Sequence, residues 1–258
     1  MSAGQSHAAP NQGAPGPGAL ADLNVVVVDV ETTGFLPAEA TIIEIGAVRL
    51  SGARVTGEFF SLVNPAAPIP AAITELTGIS DAMVRRAPAA ASALPAFLAF
   101  ARGCVLVAHN APFDLGFLTS GCEASGIAWP PAAVLDTAVL ARLLLSPDQV
   151  PDCKLSTLAG FFAARVAPCH RALPDAQATA DVLLGLLEVA AARGPGQQPG
   201  RPWPSRGRPG QPGQRQAAPA AGASADGREA RPALYATAAA GARDPGRPRR
   251  RPWSPLSS

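Results

Sequence analysis

Four consecutive valines, Val25 to Val28, run straight into Asp29-Val30-Glu31-Thr32-Thr33-Gly34. A β-branched run without polar alternation is the pattern of a strand buried on both faces, as at the centre of an α/β sheet. The acids that close it are the constraint, because an ionised carboxylate against apolar walls is costly unless something pairs with it. Asp29 and Glu31 stand two residues apart, so on a strand their side chains leave the same face, roughly 6–7 Å apart along the backbone. Two acids converging at a strand end make a site for a hard divalent cation. The remaining ligands must come from elsewhere in the chain.

Composition limits how much of the 258 residues can fold around that strand. Residues 1–20 are Ala, Gly, Pro, Gln and Ser with almost nothing to bury, and from Arg193 onward the chain is Pro-, Gly-, Ala- and Arg-rich without a hydrophobic period. Neither end can offset its ordering entropy, so 1–20 is expected to be a disordered leader and 193–258 a disordered tail. The intervening residues 21–192 suit one domain with one core. Charge is divided the same way: residues 193–258 hold 12 Arg against 3 acids, and the rest holds 9 basic and 16 acidic residues. A net +2 therefore conceals a tail of +9 behind a domain of −7. That asymmetry suggests a polyanionic partner, with the tail as a non-specific electrostatic tether. An Arg- and Pro-biased coding sequence, with 1 Lys against 20 Arg, gives the same tail without such a role.

Cys104, Cys122, Cys153 and Cys169 show no CxxC spacing. Cys104 in an apolar run and Cys122 in a helix read as ordinary buried thiols, and Cys153, Cys169 and His170 lack a fourth ligand and the spacing of a zinc site. There is no charged-then-apolar leader and no apolar run of about 18 residues, so neither secretion nor membrane insertion is indicated, and a cytoplasmic, reduced protein is expected.

Strands at 41–50 and 54–63, joined by Ser51-Gly52, continue the first strand as an antiparallel meander. Short helices follow at 71–76, stopped by Gly78, and at 82–86, with Ser80 and Asp81 as candidate caps. Leu94, Phe97, Leu98 and Ala101 mark 88–102 as a core-facing helix before an apolar strand at 104–108. A helix led by Pro112, a strand at 133–136 and helices at 137–145, 154–165 and 174–192 complete the chain. Helices before and after the fourth and fifth strands imply parallel crossovers there. The fold class is α/β: a mixed five-stranded sheet flanked by helices.

Three segments repeat one logic. Asp29 and Glu31 close the first strand, Asp114 follows the fourth in a loop-to-helix transition, and His170 and Asp175 stand in His170-Arg171-Ala172-Leu173-Pro174-Asp175-Ala176. Pro174 is expected to keep Leu173 out of the helix and to start it, with Asp175 in the first turn. If the first and fourth strands are adjacent and parallel, these groups collect at their carboxyl ends. Acids that share a cleft repel unless cations neutralise them. Two Mg²⁺ ions are the standard solution and suit in-line attack on a phosphodiester, and a His on a loop fits the general base. Four further groups are expected to be structural: His109 orienting the fourth-strand loop, Asp136 capping the next helix, Glu44 a sheet residue, and Asp181 a surface acid.

On these residues the chain resembles the DEDDh branch of the DEDD exonucleases, the DnaQ-like group that includes proofreading (epsilon) subunits of bacterial DNA polymerase III. Asp29-Val30-Glu31-Thr32-Thr33-Gly34, His109-Asn110-Ala111-Pro112-Phe113-Asp114 and the His170 to Ala176 segment match its three motifs in order, and Ile73 to Ile79 is also similar. The resemblance implies a ribonuclease H-like sheet of order 3-2-1-4-5 and a 3′→5′ exonuclease that releases nucleoside monophosphates. It implies that Asp29, Glu31 and Asp175 hold one divalent cation, that Asp29 bridges to a second supported by Asp114, and that His170 is the base. Mg²⁺ is the expected ion, with Mn²⁺ able to substitute. Thr32, Thr33, Gly34 and Asn110 would hold the 3′-terminal nucleotide, with Phe35 and Leu76 packing on terminal bases. The implied partners are single-stranded or frayed nucleic-acid 3′ ends and, for a proofreading subunit, a DNA polymerase. DNA proofreading or repair, RNA trimming and oligonucleotide degradation stay open. A silent nucleic-acid or polymerase-binding module is the remaining alternative, against which all five catalytic positions are filled.

Overall fold

The computed structural model describes residues 24–130 and 132–193. The leader at 1–20 and the tail beyond Arg193, with the tether suggested for it, lie outside the described residues. The valine run forms the middle of β1 (Asn24–Thr32), the central strand of a five-stranded sheet. β2 (Ile42–Ser51) and β3 (Arg54–Leu62) extend it antiparallel on one side, and β4 (Val105–Ala108) and β5 (Val134–Asp136) extend it parallel on the other. The order is β3-β2-β1-β4-β5, as expected.

Both faces of β1 are covered, and the period of two assigns each residue to a side. Val26, Val28 and Val30 pack with Leu94 and Phe97 of α3 (Ala90–Ala101) and with Phe117, Leu118 and Cys122 of α4 (Pro112–Ala124). Val25 and Val27 pack with Ala176, Ala180 and Leu183 of α7 (Ala172–Arg193). Asp29 and Glu31 continue the second set. Parity alone therefore turns both acids toward the helix that carries Asp175.

The smaller elements correct several boundaries. α1 (Ala71–Thr77) ends at Gly78, whose φ of 71° supplies the left-handed cap. α2 (Asp81–Val84) is a single turn without a side-chain cap, and the Asp81 carboxylate instead accepts the Ile69 N–H at 2.8 Å. α5 (Thr137–Leu144) follows β5 directly. The helix expected over 154–165 is only α6 (Leu155–Phe161), because Ala163 turns left-handed (φ 52°) and the Ala164 N–H closes back on the Ala159 carbonyl at 2.8 Å. The last helix begins at Ala172 rather than at Pro174. Proline in the first turn is tolerated there because those N–H groups have no intrahelical partner to lose. Among the thiols, Cys122 and Cys153 are buried, Cys104 is half-buried just outside β4, and Cys169 is exposed. No helix among the described residues is long and apolar enough to cross a membrane.

Candidate active site

The pairing of β1 with β4 stops at Val27 and Val107, and beyond that point the two strands part. This is where the strand order reverses, the usual place for a cleft in an open α/β sheet. The Val30 N–H, left without a strand partner, donates to Asp114 Oδ1 at 3.0 Å. Asp114 is thereby held against the segment that carries Asp29 and Glu31. One cleft at this end is lined by Asp29, Glu31, Thr32, Phe35, Leu76, Asn110, Asp114, His170 and Asp175. Thr33 and Gly34 sit in the adjoining turn instead. The Thr33 hydroxyl accepts the Thr41 N–H at 2.9 Å, and a Cβ on Gly34 would meet the Ala40 Cβ at 3.2 Å.

Each acid is set by its own element. Pro112 occupies the start of α4 and Asp114 its first turn. The loop before it turns at Asn110, a non-glycine residue with φ 68°. That turn is fixed by Asp136, which accepts the N–H groups of Asn110 and Ala111, each at 3.1 Å, and caps α5 through Ala138 and Val139 at 2.8 and 3.3 Å. The expected cap is present, together with a second duty in sequence-distant loop bracing. His109 ties the same loop to its surroundings, with Nε2 against the Cys153 carbonyl at 3.0 Å and Nδ1 against the Thr137 hydroxyl at 2.9 Å. A carbonyl can only accept, so Nε2 carries the proton, and burial holds the His109 pKa below its ordinary value. His109 orients the loop, as expected.

The third segment is anchored on both sides of His170. Cys169 N–H donates to Asp175 Oδ1 at 2.7 Å, while Arg171 forks onto Glu44, with Nη2 donating to Oε1 at 2.6 Å and Nε lying 3.1 Å from each oxygen. His170 itself is exposed and left-handed (φ 57°), a sparsely populated state for a non-glycine residue. Asp181 is not a free surface acid: it is paired with Arg165 at 2.7 Å and its side chain is only 13% exposed.

The electrostatics follow from this convergence. Asp114 and Asp175 are buried, at 3% and 6% exposure. Burial, then the neighbouring charges of Asp114, Asp175, Glu31 and Glu44, raises Asp29 well above the carboxylate range. Burial, followed by Asp175, Glu44 and Asp114, pushes Glu31 up to about 8. Burial carries Asp114 to about 7 against the Val30 hydrogen bond, and also raises Asp175 against that from Cys169. One atom each of Glu31, His170 and Asp175 lies within 4.8 Å of the others.

Residues 26–183 match the RNase T family model, described as an exonuclease. The chain belongs to the RNase T exonuclease family. It is 48% identical over 182 residues to MT2247 of Mycobacterium tuberculosis, by name a bifunctional exonuclease/endonuclease protein, covering 68% of this chain and 28% of that one. To a DNA polymerase III PolC-type protein of Caldanaerobacter subterraneus it is 45% identical, covering 63% of this chain and 11% of the other. The chain thus spans under a third of either relative. Among solved structures, exonuclease X in complex with 5′-overhanging duplex DNA superimposes with a TM-score of 0.53 at 25% identity, covering 64% of this chain and 92% of that one. Residues 26–183 form an exonuclease domain of DnaQ-like type with a ribonuclease H-like fold.

The acids of the exonuclease domain fit divalent cations. They form an oxygen-rich set in which Asp114 and Asp175 raise the pKa values of both Asp29 and Glu31, and a cation would relieve that repulsion. Sequence reasoning missed Arg171 and underestimated Glu44. The only signal in the chain was a glutamate standing inside an otherwise apolar strand, at Ile42-Ile43-Glu44-Ile45.

Proposed function

We propose that the exonuclease domain hydrolyses the terminal phosphodiester at DNA 3′ ends, in proofreading or repair, and releases nucleoside monophosphates. The observation that carries this reading is the convergence of Asp29, Glu31, Asp114, Asp175 and His170 in one cleft at the end of β1. Asp29, Glu31, Asp114 and Asp175 would hold two divalent cations, Mg²⁺ with Mn²⁺ able to substitute, which when bound supply charge neutralisation and an acidified water. His170, exposed and close to Glu31 and Asp175, takes the proton of the attacking water at an imidazole nitrogen and passes it to solvent. Phe35 is 73% exposed and Leu76 44% exposed, so both offer apolar faces to the terminal bases, and stacking of this kind tolerates any sequence. Thr32 and Asn110 line the cleft beside them, the Thr32 hydroxyl donates to the Gly34 carbonyl, and Thr33 and Gly34 in that turn would meet the 3′-terminal nucleotide with Thr32. DNA as the substrate is supported by the PolC-type relative and the DNA complex of exonuclease X. By analogy with that relative, a DNA polymerase is the proposed protein partner.

The test uses 5′-labelled single-stranded DNA, mismatched duplex DNA and short RNA, each with Mg²⁺ or Mn²⁺ and with EDTA as control. Stepwise shortening of DNA from the 3′ end, abolished by EDTA and by Asp29→Ala, is the expected result. Asp29→Ala with undiminished activity overturns the site assignment, and faster loss of RNA than DNA overturns the substrate.

A further inference from the structure

We propose that Glu44 is a positioning residue for the reaction, acting through Arg171 on His170; this rests on the reading of His170 as the base. The His170 imidazole makes no hydrogen bond to any described residue, so its direction is set by the backbone that carries it. That backbone is left-handed at His170 and is held at both neighbours. Cys169 is tied to Asp175, and Arg171 is tied to Glu44 on a strand 127 residues away in sequence. Glu44 also accepts the Ala172 N–H at 2.7 Å, which makes it the cap of α7 from another element.

The cost of this arrangement argues for its use. Glu44 is fully buried within an apolar stretch of β2 and lies opposite Glu31 in the β1–β2 register. A fifth acid there adds its charge to those facing Asp29 and Glu31, and a buried ion pair is often replaceable by apolar packing without loss of stability. What apolar packing cannot supply is the planar fork between guanidinium and carboxylate, which fixes orientation as well as distance. Gly46 completes the device. A Cβ there would stand 2.1 Å from the Leu173 nitrogen and 2.2 Å from the Ala172 carbonyl carbon, so only glycine lets the first turn of α7 lie directly on β2.

The experiment introduces Arg171→Gln and Glu44→Gln separately, each in the wild-type chain and in His170→Ala, and measures kcat and KM on single-stranded DNA with Mg²⁺. With His170 present, each substitution is expected to lower kcat roughly 10- to 100-fold, the scale of a misplacement of about 1 Å, with KM changed less than about twofold. In His170→Ala the same substitutions are expected to change kcat less than about twofold, since residues that act through one another are not additive. Arg171→Lys keeps the charge without the fork and is expected to stay slow. Equal losses in both backgrounds, or full recovery with Arg171→Lys, overturn the proposal while leaving His170 as the base. A His170→Ala enzyme as fast as wild type overturns the base and this proposal together. Circular dichroism reports whether Glu44→Gln folds, and the half-exposed Arg171 carries the test if it does not.

Discussion

Seven acids of this domain, three that brace it and four in the cleft, differ in what faces them. Asp136 accepts four backbone N–H groups, Glu44 holds Arg171 and the first N–H of α7, and Asp181 takes the fork of Arg165. In the cleft, Asp114 and Asp175 each receive N–H groups that set their direction, while no hydrogen bond to the Asp29 or Glu31 side chain is found among the described residues. Bracing acids are thus satisfied from within the chain, and cleft acids are held in place but left with acceptor capacity facing outward. The second arrangement destabilises the protein on its own, which is the usual relation between a preorganised site and its stability.

The largest effect that would sharpen this contrast is at Glu31. Its pKa near 8 and that of Asp114 near 7 lie above those of an unfolded chain, so between about pH 4.5 and 8 the folded protein binds more protons than the unfolded one. The stability conferred by these groups is full below the unfolded values and is lost as pH rises through the folded ones. Metal-free protein is therefore expected to melt at progressively lower temperature from pH 5 to pH 8, and Mg²⁺ at pH 8 to raise the melting point by binding the folded state. Glu31→Gln should flatten that slope, weaken the Mg²⁺ response and lower the rate at least roughly 100-fold, the scale of several kcal/mol of lost charge stabilisation. Calorimetry with and without EDTA decides it; a melting point that climbs with pH breaks the contrast.

Asp136→Ala should do the reverse. Losing the α5 cap and the two loop hydrogen bonds is expected to cost about 2–3 kcal/mol in urea unfolding. Activity should fall roughly 10-fold as the loop carrying Asn110 and Asp114 loosens. A stable variant would place the loop's support elsewhere. The smallest effect is at Asp181. Arg165 is 70% exposed, so Asp181→Asn should change stability by no more than about 1 kcal/mol and leave the exonuclease rate unaltered.

How legible the site was depended on whether its parts were local. Asp29 and Glu31 could be read from four valines and a period of two, and the helix start at Pro112 placed Asp114 near its true position. The cap at Asp136 was visible because it acts two and three residues ahead. Pro174 marks a helix boundary in the sequence, but α7 starts two residues earlier because Glu44 captures the Ala172 N–H and extends the helix backward. Thr33 and Gly34, expected beside the 3′-terminal nucleotide, lie in the turn next to the cleft, where the Thr33 hydroxyl accepts the Thr41 N–H and Gly34 packs on Ala40.

By itself, then, the sequence determined the central strand, the face its acids take and the order of the three motifs, because strand parity and proline placement are set by neighbours along the chain. Only the tertiary structure decided that the Val30 N–H would turn to Asp114, that Glu44 would grip Arg171, and that Gly46 would admit α7. Those contacts join residues 84 to 127 positions apart. They exist because β1 parts from β4 and α7 returns across β2, which no local pattern encodes.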